Sequence, residues 1–421
     1  MKTFVRRTRP AAAVLAASLV LAACGGAEDT EPTNTETSEP AAEETTPAEE
    51  PETETETEAA EAGITAELLR TELNLLLQEH VIFAGAATGA AIAGDEDGFN
   101  QAAAALTEGN SVKLADLVGS VYGQEVRDTF LELWNSHIGM FVRYTQGAAS
   151  GDQEAADAAV AELTEYVTTL ASVFEQVTGL PADASAPLIE EHVLSLKEAV
   201  DLQIAGDAPG AFASLREAAS HMDMIAGPLA GAIASQQGLE GDASSDLAAA
   251  RSALNATLAE HTWLAGLATG AAVKGDTATF EAAAGALTEG NSVALADLVG
   301  TFYGEETRDT FLELWNSHIG MFVAYTQGAA GGDQAAADAA VADLTEYVTT
   351  LASVFETVTE GNLPASASAP LIEEHVLTTK AVVDAWVAGG DGYAELLEAG
   401  AHMKMIANPL FDAIVAQQTG A

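Results

Sequence analysis

The stretch "HIGMFVRYTQGAASGDQEAADAAVAELTE", His137 to Glu165, holds the architecture in miniature. Apolar residues recur at three- and four-residue spacing up to Gly151, and again after Asp152. That is the period of two helices, each burying one face. Glycine ends a helix in a left-handed cap and aspartate starts the next, so Gly151-Asp152 reads as the turn of a helical hairpin. The pattern comes three times in a row. His80, His137 and His192 are followed fourteen residues later by Gly94-Asp95, Gly151-Asp152 and Gly206-Asp207. Each pair is followed by Leu-x-Glu, at Leu106-Thr107-Glu108, Leu163-Thr164-Glu165 and Leu215-Arg216-Glu217.

The whole set is then copied. Residues 64 to 237 match 245 to 418 at an offset of 181, with a two-residue insertion near "TEGNLPAS" compensated before His402. His261, His318 and His375 head the hairpins of the second copy, whose last turn has an extra Gly390. The expected fold is all-α: two tandem six-helix domains, 63–240 and 241–421, each a bundle of three antiparallel hairpins. In the first copy the helices are expected near 65–93, 97–121, 124–148, 153–178, 184–204 and 209–236.

The N-terminus reads differently. A basic start with Lys2, Arg6, Arg7 and Arg9 precedes an apolar run, Ala11 to Ala23, too short to span a bilayer as a mature helix. It ends in Leu21-Ala22-Ala23-Cys24, which resembles the lipobox of bacterial lipoproteins, and Cys24 is the only cysteine. The resemblance implies a signal peptide over 1–23, lipidation of Cys24, and a protein held on the extracytoplasmic face of the cell membrane by its acyl chains. No further segment reads as a membrane span. Residues 25–62 contain fourteen acids and no Lys or Arg, the composition of a disordered acidic stalk, so 24–62 is expected to tether the domains.

After loss of the signal the chain would carry eleven bases against 64 acids. Nucleic acid is not an expected partner, since phosphate contacts need a basic face.

The histidines carry the functional reading. At about 1.5 Å per residue, each lies about 21 Å below its turn. His221 lies fourteen residues beyond Asp207 on a returning helix, so His80, His137, His192 and His221 are expected at one depth. Phe130, Leu133, Trp134, Met140, Phe141 and Tyr144 share the face of His137, while Leu73, Leu76, Leu77, Phe83, Ala84 and Ala87 share that of His80. Both rings therefore point inward. All eight histidines are matched between the copies: His261, His318, His375 and His402 repeat the first four. Met140, Met222 and Met224 likewise match Met321, Met403 and Met405.

Imidazoles suit Zn, Cu, Fe and Ni, and thioethers shift the preference towards copper, above all Cu(I). "HMDM" at His221–Met224 and "HMKM" at His402–Met405 have that character. Glu217 and Glu398, four residues before His221 and His402, are expected to orient an imidazole or to ligate a harder ion. Glu79, Glu191, Glu260 and Glu374 point about 100° away from their neighbouring histidines and are expected in solvent. The leading expectation is a transition-metal site in each domain, copper first, with iron or zinc open, for sequestration or delivery. The alternative is a cell-envelope interaction or scaffold module whose histidines form a structural polar network. No Ser/His/Asp order, phosphate loop or His-Glu-x-x-His motif marks an enzyme, and metal-dependent redox activity is the remaining catalytic option.

"EHV" at 79–81, "SVYG" at 120–123, "LWNSHIGMFVRYT" at 133–145 and "HMDMIA" at 221–226 resemble a helical domain of secreted bacterial proteins labelled copper amine oxidase-like. The resemblance covers both copies and adds weight to copper. The chain has no amine-oxidase signature.

Overall fold

The computed structural model describes residues 64–419. The proposed signal peptide, Cys24 and the acidic stretch lie outside the described residues. The described chain is all-α, without strands, and forms twelve helical rods, six per repeat. In the first repeat these are α1 (Ala66–Ala93), a rod made of α2 (Glu96–Ala104), the wide turn π1 (Ala105–Asn110) and α3 (Ser111–Tyr122), then α4 (Gln124–Ser150), α5 (Gln153–Thr178), α6 (Ala182–Ala205) and α7 (Ala208–Gln237). The second repeat has α8 (Asp246–Lys274), α9 (Thr277–Gly285), π2 (Ala286–Asn291), α10 (Ser292–Tyr303), α11 (Glu305–Gly331), α12 (Gln334–Val358), α13 (Ala365–Val387) and α14 (Gly392–Thr419).

The Gly-Asp pairs form the hairpin turns. Gly151 sits at φ 76° and its N–H donates to Ala148 O, while Asp152 N–H reaches back to Gly147 O. This double bond satisfies the last carbonyls of α4. The Asp152 carboxylate then accepts from Ala155 N at 3.1 Å and caps α5. Gly147 lets the two rods touch, because a Cβ there would lie 2.8 Å from the backbone N of Ala156. The Leu-x-Glu pattern reports the same packing: Leu106, Leu163 and Leu215 are buried, whereas Glu108, Glu165 and Glu217 are exposed.

One rod departs from the expected continuous helix 97–121. At π1 the Asn110 amide leaves its own helix to donate to Leu76 O at 2.8 Å and Glu79 Oε2 at 2.9 Å, both on α1. Ser111 Oγ donates to Leu106 O, five residues back. One extra residue is thereby inserted into the turn, and Asn291 and Ser292 repeat the arrangement at π2.

The two repeats share one hydrophobic core and make one compact unit, Ile64–Ala421. α1 packs on α8 at the centre. Among the described residues α1 alone is long and apolar enough to cross a membrane, yet most of that stretch is buried inside the protein, where it serves as a core helix. Asn74 on α1 donates to Ser252 on α8 at 2.9 Å, and Ser252 donates to Asp223 at 2.8 Å. This junction corrects one expectation. Glu79 and Glu260 are 3 % and 9 % exposed rather than solvated, because the other repeat covers the outer faces of α1 and α8. Glu191 and Glu374 are exposed, as their phase requires.

Candidate metal centre

Three hairpins standing with their turns at one end bring α1, α4 and α6 side by side at the depth of their histidines. His80, His137 and His192 meet in the interior, each offering one ring nitrogen within 4.8 Å of the others. His80 Nε2 and His137 Nε2 are 3.2 Å apart, and the ring centroids of His80 and His192 are 5.8 Å apart. The second repeat reproduces this with His261, His318 and His375, and a 3.2 Å contact between His318 Nε2 and His261 Nε2. Two imidazole nitrogens on one tetrahedral ion about 2.0–2.1 Å away stand about 3.3 Å apart. The spacing already present suits a shared ion.

The walls are aromatic. Trp134 lies 4.8 Å from both His80 and His137, and Tyr166 stacks on His137 at 4.8 Å with 23° between planes. Trp315 and Tyr347 do the same in the second repeat. All six histidine rings are at most 6 % exposed. Burial disfavours the charged imidazolium, and neighbouring rings add to the effect. His137 is held down to about 3, by burial first and His192 second, against the pull of the Trp134 backbone. His192 falls to about 4 through burial and His221. His318 falls to about 4, and His375 to about 3 through burial, His318 and His402. His80 and His261 are held well below the ordinary imidazole value by burial and by the other two rings of their triads. At neutral pH every ring is therefore uncharged, the form that ligates.

Hydrogen bonding leaves the triads poorly served. His80 Nδ1, both nitrogens of His192 and the Tyr166 hydroxyl are buried without a partner. In the second repeat His261 Nδ1, His375 Nε2 and the Tyr347 hydroxyl are likewise unpartnered. A buried polar atom without a partner costs about 1–3 kcal/mol, and the side chains around the triads leave these atoms unsatisfied.

The fourth expected histidine stands apart. His221 Nε2 is 3.0 Å from Leu188 O and His402 Nε2 is 2.9 Å from Leu371 O, both on half-buried rings. Helical phase is the reason: the inward position of the motif belongs to the next residue. Met222 and Met403 are each 1 % exposed. Met222 lines a cavity together with His192, and Met403 lines a void with His318 and His375. Asp223 turns to Arg70 and Ser252, and Lys404 to Glu72 of the first repeat at 3.1 Å. Met224 and Met405 are more than half exposed. Met140 and Met321 pack at the edge of the core. Glu217 and Glu398 are exposed and have no place at the centre.

Each centre thus offers three neutral imidazoles, one nearby thioether and no carboxylate. Sequence reasoning put Trp134 on the face of His137 but missed Tyr166, and its counterpart Tyr347, as walls of the site. Tyr166 shares the inward phase of Leu163, three residues before it, which is the signal that could have found it. No protein family, curated protein or solved structure matches this chain.

Proposed function

We propose that the protein binds a transition-metal ion, copper(I) first, at the histidine triad of each repeat, for sequestration or delivery. The observation that carries this reading is the meeting of three buried, uncharged imidazoles in each repeat with ring nitrogens already at ligand spacing.

Charge argues for a monovalent soft ion. The ligands are neutral, so the ion keeps its full charge in a dry site, and Born cost rises with the square of charge. Cu(I) then costs about a quarter of what a dication of similar size would. Imidazole and thioether donors also suit Cu(I), and Met222 and Met403 are the thioethers placed to join. The acidic chain, net −49, would concentrate cations around it. Lipidation at Cys24 would place this store on the outer face of the cell membrane.

A titration of the purified protein tests the reading. Two ions per chain are expected, falling to one in His137→Leu or His318→Leu and to none in the double variant, with helicity retained. No uptake of Cu(I), Zn or Fe at micromolar concentration would leave the envelope scaffold as the better account.

A further inference from the structure

A second feature recurs in both repeats. In the first, a cavity of about 280 Å³ opens between α1, α3, α4, α5, α6 and α7 and is lined on its buried side by Trp134, His192 and Met222. In the second, the matching cavity is about 740 Å³. Behind the wall formed by Leu258, Trp315 and Phe355, which the two share, a separate void of about 20 Å³ is lined by His318, His375 and Met403. Small-molecule sites span about 300–1,000 Å³, so the larger lies well inside that range and the smaller at its edge.

Core packing does not leave such space by default. Protein interiors are packed like organic crystals, with few voids larger than a water. Here the side chains of both copies stop short of filling the same region. The interior is lined by leucine, valine and phenylalanine, and the second cavity's polar side chains gather at an exposed rim of Thr310, Thr349, Thr350 and Glu306. No Lys or Arg lines either cavity. A carboxylate or phosphate head would find no cation and would meet Glu125 or Glu306 at the mouth. The lining selects against anionic amphiphiles.

We propose that each repeat takes up one uncharged, apolar small molecule through this mouth and holds its inner end against the histidine triad. The proposal goes beyond the metal reading, because the cavity and its lining are there whether or not an ion sits on the rings.

The test uses the full chain without metal and the uncharged probe N-phenyl-1-naphthylamine. Saturable uptake at two sites per chain is expected, with shifts of the His192 and His375 ring resonances. V118W and V299W, which fill the two cavities, should each remove one site. T129W and T310W lie at exposed positions of the two rims and keep the test decisive if the first pair unfolds. Each should weaken its own site at least tenfold. Absence of saturable uptake, full uptake in the T129W/T310W double variant, histidine resonances unmoved by bound probe, or equal affinity for dodecanoate would each overturn the proposal. Probe uptake without metal uptake sinks the metal reading alone, and metal uptake without probe uptake sinks this one alone.

Discussion

Arg216 of the first repeat grips Glu260 of the second through two hydrogen bonds, 2.9 Å from Nε and 3.2 Å from Nη2. The position equivalent to Arg216 in the second repeat is Leu397, and it lies over Gly109 as Arg216 lies over Gly290. The carboxylate facing Leu397's side of the junction, Glu79, has only the Asn110 amide as a hydrogen-bond partner. Burial raises its pKa, with Lys113, Asn110 and Lys404 offsetting only part of the effect. The pseudo-symmetric junction therefore gives Glu260 a guanidinium on one side, whereas on the other Glu79 has none and Lys404 pairs across the repeats with Glu72 instead.

Leu397→Arg should give Glu79 the partner that Arg216 gives Glu260. The folded-state pKa of Glu79 is raised, so the native state holds that proton to higher pH than the unfolded chain. Its contribution is intact below the unfolded value and is lost as pH rises through the folded one. The variant should gain roughly 1–3 kcal/mol at pH 7 and little at pH 4. Thermal unfolding at the two pH values measures this, and an equal gain at both would contradict the assignment.

Arg216→Leu should cost about 3 kcal/mol, because it leaves Glu260 buried without its guanidinium. Denaturant unfolding of the whole chain reads the loss. A change below about 0.5 kcal/mol would mean that the pair does not hold the repeats together.

The histidines give the opposite pH dependence. Their folded pKa values are depressed, those of His137, His192, His318 and His375 to about 3–4. Stability is complete above the unfolded value of about 6.5 and is lost as pH falls towards the folded ones. Each ring contributes up to about 1.4 kcal/mol per pH unit in that window. Six such rings outweigh Glu79. The metal-free protein should unfold steeply between about pH 6 and 4, and His137→Leu should flatten the slope by one proton. A flat profile over that window would place the rings in solvent.

His221→Leu should leave the metal stoichiometry at two ions per chain and cost about 1 kcal/mol from the lost bond to Leu188 O. Met224→Leu should change neither quantity. Met222→Leu should weaken Cu(I) more than Zn. Loss of an ion in the His221 variant would return that residue to the ligand set.

Much of this was legible in the sequence. The fourteen-residue interval from each histidine to its Gly-Asp turn gave the hairpins and the common depth of His80, His137 and His192. It gave depth without azimuth, and so it drew in His221, which sits at the right height on α7 but one residue out of phase with Met222. The proximity of His, Met and acid in "HMDM" suggested one site, whereas the helix sends those side chains in four directions. Glu79 and π1 were illegible for a different reason: the burial of Glu79 depends on packing between the repeats, and π1 on a contact with α1, neither of which the periodicity of a single helix records. Asn110 leaves its helix only because α1 presents Leu76 O and Glu79 beside it.

The coordination of a bound ion decides the matter. X-ray absorption of the Cu(I)-loaded protein at the copper edge should show imidazole scattering from three nitrogens at about 2.0 Å, reduced in parallel by His137→Leu and His318→Leu. A shell dominated by sulfur or carboxylate oxygen, or one that is unchanged in those variants, would contradict the account.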